Sequence, residues 1–338
     1  MTLPPHSRFP LAADLPVCRI LNGMWQVSGA HGAIDPPRAV AAMFAFHEAG
    51  FTTWDLADHY GPAEEFIGAF RREFAARYGA ARLPEIQAFT KWVPSPGPMT
   101  RRVVEEAVAA SRCRMDAERL DLLQFHWWDY SDRRYLDALR HLADLREEGL
   151  IRHLGLTNFD TERLALIAEH GVAIVSNQVQ YSLVDRRPER RMAEWCREHG
   201  IALLTYGTVL GGLLSEKHLG RAEPGRGELN TASLRKYKQM IDAWGGWALF
   251  QELLAAVARI AAKHRVGIAA VAIRHILDRS AVAGVIVGTR LGVSEHIAAN
   301  ASAFDVALDA EDEAALAPVL AKGRDLLLAI GDCGDEYR

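Results

Sequence analysis

Short apolar runs alternate with longer amphipathic stretches along nearly the whole chain. Runs at 20–24, 51–54, 85–90, 120–125, 151–156, 172–178, 201–206 and 282–287 have the length and composition of buried strands. Apolar spacing of three and four residues predicts helices over 36–49, 63–78, 100–114, 132–148, 161–170, 189–199, 247–264, 267–278, 294–302 and 309–321. Asp35 and Thr100 stand where N-caps belong, and Gly50 lies just past a helix end. The rhythm breaks between 207 and 247, a Gly-rich polar segment of about 40 residues with weak periodicity. It reads as a long loop after the seventh strand, of the kind that carries function or closes as a lid, with Trp244-Gly245-Gly246-Trp247 as hinge or packing at its end. Strands and helices alternate without a Pro/Ser-rich linker or a second compositional regime. The pattern predicts a single (β/α)8 barrel domain over 1–338.

The barrel reading gives four strand-end residues a common address. Asp55 ends the second run and Tyr60 follows it just before a helix. Lys91 ends the third run and His126 the fourth. In a barrel, strand C-termini gather at the face that holds the active site. A phenol, a cation to lower its pKa from ~10, a carboxylate to hold the cation and an imidazole to orient a carbonyl suit protonation of a carbonyl oxygen. Each alone has an ordinary structural reading: a Tyr before Gly packs, and an Asp at a strand end caps a helix.

Composition narrows the classes. The chain has 338 residues, a net charge of −4 and no basic block, so nucleic acid is not an expected partner. Cys18, Cys113, Cys196 and Cys333 are scattered without CxxC spacing and read as reduced thiols of a cytoplasmic protein. The first residues have no charged start followed by an apolar core, and no apolar run approaches ~18–20 residues, so neither a secretory leader nor a membrane span is expected. His59 and His126 lack the partners of a metal site, and none is expected.

Several motifs in order resemble the aldo-keto reductases: Gly23-Met24-Trp25, Asp55…Tyr60-Gly61…Glu64…Gly68, Thr90-Lys91, Phe125-His126-Trp127, Gly155-Leu156-Thr157-Asn158-Phe159, Asn177-Gln178, Tyr206 and Gly288…Asn300. The resemblance covers about residues 21–308. It implies a barrel that reduces aldehydes or ketones with NADPH, NADH remaining open. Asp55, Tyr60, Lys91 and His126 would be catalytic. Thr157, Asn158 and Gln178 would hold the nicotinamide carboxamide, and Tyr206 would stack on its ring. Trp25, Gly207, Leu210, Gly288, Thr289, Arg290, His296 and Asn300 would complete the coenzyme site. Arg290 is the candidate partner of an adenosine 2′-phosphate. Trp25, Trp92 and Trp127 would wall the carbonyl pocket, whereas Trp54 and Trp128 read equally well as structural. The chain departs from the family pattern after Tyr206, where Gly207-Thr208 replaces the common Ser-Pro, and between Gly288 and Asn300, where it is two residues longer. The alternative is a nucleotide-sensing regulatory subunit resembling potassium-channel beta subunits. The physiological substrate and the oligomeric state are not readable.

Overall fold

The computed structural model describes residues 3–337. An N-terminal hairpin, β1 (Arg8–Ala12) and β2 (Leu15–Cys18), precedes eight parallel strands. These are β3 (Ile20–Gly23), β4 (Thr53–Asp55), β5 (Gln87–Trp92), β6 (Leu120–Phe125), β7 (Ile151–Thr157), β8 (Ser176–Gln180), β9 (Ala202–Tyr206) and β10 (Val282–Gly288). They close in sequence order, with β10 pairing back onto β3. Outside them lie α1 (Pro36–Glu48), α2 (Ala63–Tyr78), α3 (Arg101–Arg114), α4 (Tyr135–Glu147), α5 (Thr161–Glu169) and α6 (Met192–Glu198). They are followed by α7 (Ala232–Trp244), α8 (Gly246–His264), α9 (Ile268–Leu277), α10 (Ile297–Ala301), α11 (Ala310–Leu320) and α12 (Leu326–Ile330). The expected (β/α)8 architecture is present. No helix among the described residues is long and apolar enough to cross a membrane.

Strand alternation sets what lies inside the barrel. Leu21, Phe89, Leu122 and Leu204 form an inner apolar layer with Leu11, Leu15 and Val17 of the hairpin, which closes the N-terminal end. The hairpin turn is clamped there: Arg152 Nε and His153 Nε2 lie 2.7 and 2.6 Å from the Asp14 carboxylate. Those contacts, Arg152 first, hold the Asp14 carboxyl down at about 2. The opposite strand faces pack against the helices, with Trp54, Phe125, Leu123 and Leu156 in the outer core.

Three features depart from the sequence expectations. Segment 207–247 is not loop throughout: 232–244 is helix α7, capped by Thr231 accepting from Leu234 N at 3.2 Å. Tyr237, Met240, Ile241 and Trp244 are buried at helical spacing in a second core shared with α8 and α9. Thr100 caps α3 as expected, but Asp35 makes no side-chain bond to α1. Pro36 and Pro37 occupy the first two positions there and have no N–H to offer. The hairpin at 8–18 and the short α12 carry too little periodicity to be read from sequence.

The motif residue Glu64 is structural. It is buried, accepts from Thr90 Oγ1 at 2.5 Å and pairs with Arg114 at 2.5 Å, tying α2 to β5 and α3. Close approach of α2 and α3 requires Gly68, because a Cβ there would run into the Arg114 carbonyl. Backbone cannot swing aside as a side chain can. Gly68→Ala should therefore destabilise the fold by about 1–3 kcal/mol, read as a lower urea midpoint. A midpoint at or above that of the wild type would contradict the packing.

Candidate active site

The catalytic face is organised by one buried pair. Asp55 and Lys91 are both buried at the C-terminal ends of β4 and β5. Lys91 Nζ donates to Asp55 Oδ2 at 2.7 Å and to the Leu56 carbonyl at 2.9 Å. The other carboxylate oxygen accepts from Gln178 Nε2 at 2.7 Å and from Gln124 Nε2 at 3.0 Å. The two amides also meet, Gln178 Nε2 donating to Gln124 Oε1 at 2.8 Å. Gln124 is thus part of the site and was not anticipated. The signal was available: a Gln two positions before His126 on an apolar strand shares its inward face.

Lys91 lies under the ring of Tyr60, 5.0 Å from its centroid, rather than bonded to its hydroxyl. The expected depression of the phenol's pKa does not appear. Tyr60 is half-buried, but its hydroxyl reaches into a confined space. Desolvation, and then the Asp55 carboxylate, raise its pKa well above 10. Lys91 itself is lowered, chiefly by burial and against the pull of Asp55. Burial, and a carboxylate already holding the ammonium, explain the outcome. Burial therefore favours the neutral phenol in this cavity.

His126 is fixed by its Nδ1, 2.9 Å from the Thr157 carbonyl. A carbonyl only accepts, so Nδ1 carries a proton and Nε2 becomes a second donor only in the imidazolium. Trp128 stands edge-on to the imidazole at 4.4 Å between ring centroids.

These groups open into a cavity of about 400 Å³, within the range of small-molecule sites. It contains Asp55, Tyr60, Lys91, His126, Trp25, Thr157, Asn158, Gln178, Tyr206, Gly207 and Gly288 in its wall, bringing together most of the residues expected from sequence. Trp92 and Trp127 are not in the wall. Lys91 and His126 point inward, so the next residue on each strand must point outward. Trp92 packs on Phe125, and buried Trp127 donates through Nε1 to the carbonyls of Asp129 and Asp132. Trp128 returns to the inward parity, lines the cavity and is 39% exposed. Leu210 also turns away, buried in the second core, while Val209 and Gly211 beside it face the cavity.

The rest of the cavity comes from outside the barrel. Helix α7 contributes Ala232, Ser233, Lys236 and Tyr237, and the C-terminal segment contributes Tyr337. Gly207 explains the departure from Ser-Pro: it has φ +74°, and a Cβ would meet the Tyr237 ring at 2.7 Å. The short segment after β10 lies beyond the cavity wall. There Thr289 donates to the Gly23 carbonyl at 2.9 Å, and Arg290 donates to the His31 carbonyl at 2.9 Å. Exposed His296 precedes α10, and Asn300 is buried within it.

The cavity fits a nicotinamide in one local respect. Thr157 Oγ1 is buried without a hydrogen-bond partner among the described residues, beside the Asn158 and Gln178 amides. Asn158 holds φ +58°, and its Oδ1 accepts from the Tyr206 hydroxyl at 2.9 Å. Gln26 Oε1, in the same wall, is likewise unpartnered.

Comparison with known proteins bears on the family and the fold. The family model described as the aldo/keto reductase family matches residues 19–320. Flagellar radial spoke protein 5 of Chlamydomonas reinhardtii is 28% identical over 260 residues, covering 66% of this chain and 49% of that protein. The chain spans about half the length of the first curated relatives it matches. An NADH-specific methylglyoxal reductase of Escherichia coli is 22% identical over 332 residues, covering 90% of this chain and 96% of that protein. A Klebsiella pneumoniae aldo/keto reductase solved with NADP and acetate superposes with a TM-score of 0.69 at 21% identity, covering 93% of this chain and 95% of that one.

A raised phenol pKa has a direct optical consequence. Deprotonation begins only as pH approaches the raised value, so Tyr60 stays protonated through pH ~10. Wild type and Tyr60→Phe should give the same tyrosinate absorbance at about 295 nm between pH 6 and ~10. An extra phenolate in the wild type near neutrality would show that Lys91 outweighs burial.

Proposed function

The chain belongs to the aldo/keto reductase family, and from that premise we propose that it reduces an aldehyde or ketone to the alcohol with NADPH, Tyr60 supplying the proton. The observation that carries this reading is the Tyr60 ring over a buried Lys91–Asp55 pair, with His126 at the same cavity wall. The reduced nicotinamide, when bound, supplies the hydride. Thr157, Asn158 and Gln178 would hold its carboxamide, and Tyr206 would offer its ring face.

The protein's part is to receive negative charge on the carbonyl oxygen. Tyr60 donates its proton there, and His126, as the imidazolium with Nδ1 held by the Thr157 carbonyl, donates through Nε2 to the same oxygen. As the phenol becomes phenolate, the fixed Lys91 ammonium already lies 5.0 Å from its ring centroid. The stabilising cation is in place before charge appears, which is the preorganisation that lowers a barrier. Apolar Val93, Trp25 and Trp128 limit water beside the reacting oxygen. The E. coli relative is named for NADH and the K. pneumoniae structure holds NADP, so coenzyme choice rests on Arg290. Its guanidinium is tied to His31 through one nitrogen and keeps other donors for a 2′-phosphate.

Turnover of 4-nitrobenzaldehyde with NADPH tests the reading. Tyr60→Phe should lower kcat/KM by about 10²–10⁴, the usual worth of a general acid, while the Kd for NADPH stays near wild type. Reduction at the wild-type rate would remove Tyr60 from its role. Tight coenzyme binding without turnover of any aldehyde by the wild type would point to a nucleotide-sensing subunit.

Arg290→Ala should raise KM for NADPH roughly tenfold, as expected for a lost charged hydrogen bond, with little change for NADH. A preference of the wild type for NADH, or equal weakening of both coenzymes, would reject the 2′-phosphate assignment and leave the reductase assignment standing.

A further inference from the structure

Helix α7 carries two lysines with opposite fates. Lys238 is buried and is neutralised by Glu223 and Asp242, each at 2.6 Å. Lys236, two residues earlier and so on the other helix face, turns into the catalytic cavity. It has no carboxylate within ion-pair distance among the described residues. Its ammonium instead donates to the Tyr337 hydroxyl and lies 4.3 Å from that ring's centroid, 4.9 Å from that of Tyr206 and 5.7 Å from that of Tyr237. Lys91, the other lysine in the cavity wall, is committed to Asp55.

The position of Lys236 along the cavity matters. Ser233, one turn earlier on the same helix face, meets His31 at 3.0 Å, and the His31 carbonyl holds Arg290. That turn looks toward the proposed coenzyme phosphates. Lys236, one turn on, lies over Tyr206 and reaches Tyr337, whose ring stands 6.4 Å from the His126 imidazole. Tyr337 thus neighbours both the ammonium and the group assigned to the carbonyl. The tail that delivers Tyr337 is firmly tied. Arg187, fully buried, bonds both Asp185 oxygens at 2.9 and 2.8 Å, the Asp332 carbonyl at 2.9 Å and Glu336 at 2.8 Å.

We propose that Lys236 is a specificity residue that selects carbonyl substrates bearing a carboxylate at the end remote from the reacting carbonyl. The proposal rests on the reductase reading. With the carbonyl at Tyr60 and His126 and the apolar body against Trp25, Trp128 and Val93, the far carboxylate meets the ammonium. The Tyr337 hydroxyl is beside it as a second donor. Lys236 then exchanges ring and phenol contacts for a charge-assisted hydrogen bond.

The probes are 4-carboxybenzaldehyde and its neutral counterpart methyl 4-formylbenzoate, each with NADPH. Wild type should favour the acid in kcat/KM by about tenfold or more, the worth of a charged hydrogen bond. Lys236→Met should bring that ratio close to one, chiefly through KM for the acid, with the Kd for NADPH within about twofold of wild type. Lys236→Arg should restore the preference. Reduction of the ester as well as the acid by the wild type would overturn the proposal and leave the reductase reading intact. So would a Lys236→Met variant that loses both substrates equally while its Kd for NADPH rises, which would assign the lysine to the coenzyme. Reduction of neither aldehyde by the wild type would overturn the reductase reading and this proposal with it.

Discussion

The buried Lys91–Asp55 pair is the constraint on which the mouth of the barrel depends. Removing two charges from water costs several kcal/mol each. Their mutual attraction offsets that cost only if the remaining donors and acceptors are also satisfied. Here most are: Lys91 has the Leu56 carbonyl as a second acceptor, and Asp55 takes two amides on its other oxygen. This explains a sharp change of composition across one layer of the barrel. Phe89, Leu122 and Leu204 fill the interior, and two residues further along their strands stand Lys91, Gln124 and Tyr206. The polar layer is therefore a rigid floor. Removing either ion would strand the other, so the floor cannot adapt to accommodate a displaced Tyr60.

That rigidity gives meaning to the pKa of Tyr60. A cation bonded directly to the hydroxyl would stabilise phenolate and lower the phenol's pKa in the resting protein. Instead the carboxylate holds the cation, burial dominates, and the phenol keeps its proton. In the proposed reaction the same fixed cation stabilises charge developing on the phenol, with no side chain having to move to meet it.

Much of this was legible because it follows two periods. Strand alternation and helical spacing located all eight barrel strands, and the strand ends delivered Asp55, Lys91 and His126 to one cavity. What stayed hidden lacks a local signal. The apolar residues of α7 have helical spacing, but Lys236 and Lys238 interrupt the stripe and the segment around them is rich in glycine. The hairpin at 8–18 contains Pro10 and Pro16, which read against strand. Tyr337 reaches the cavity through the bond of Arg187 to the Asp332 carbonyl, 145 residues away in sequence, which no window of the chain could reveal.

The tryptophans show where sequence held the answer in another form. Nearness to a strand end does not decide whether a side chain faces the cavity; parity does. The step that places Lys91 inside places Trp92 outside, and the step that places His126 inside sends Trp127 out and brings Trp128 back. The aromatic wall is consequently built from two sources. Trp25 and Trp128 belong to barrel loops whose positions the strands fix. Tyr237 and Tyr337 come from a helix and a tail with no place in the barrel's repeat. Chemistry at the carbonyl is set by the periodic part of the chain, and the shape and charge of the pocket's far end by the aperiodic part. A barrel of this kind can therefore keep its strand-end groups fixed while Lys236 and its tyrosines, as proposed, select what enters.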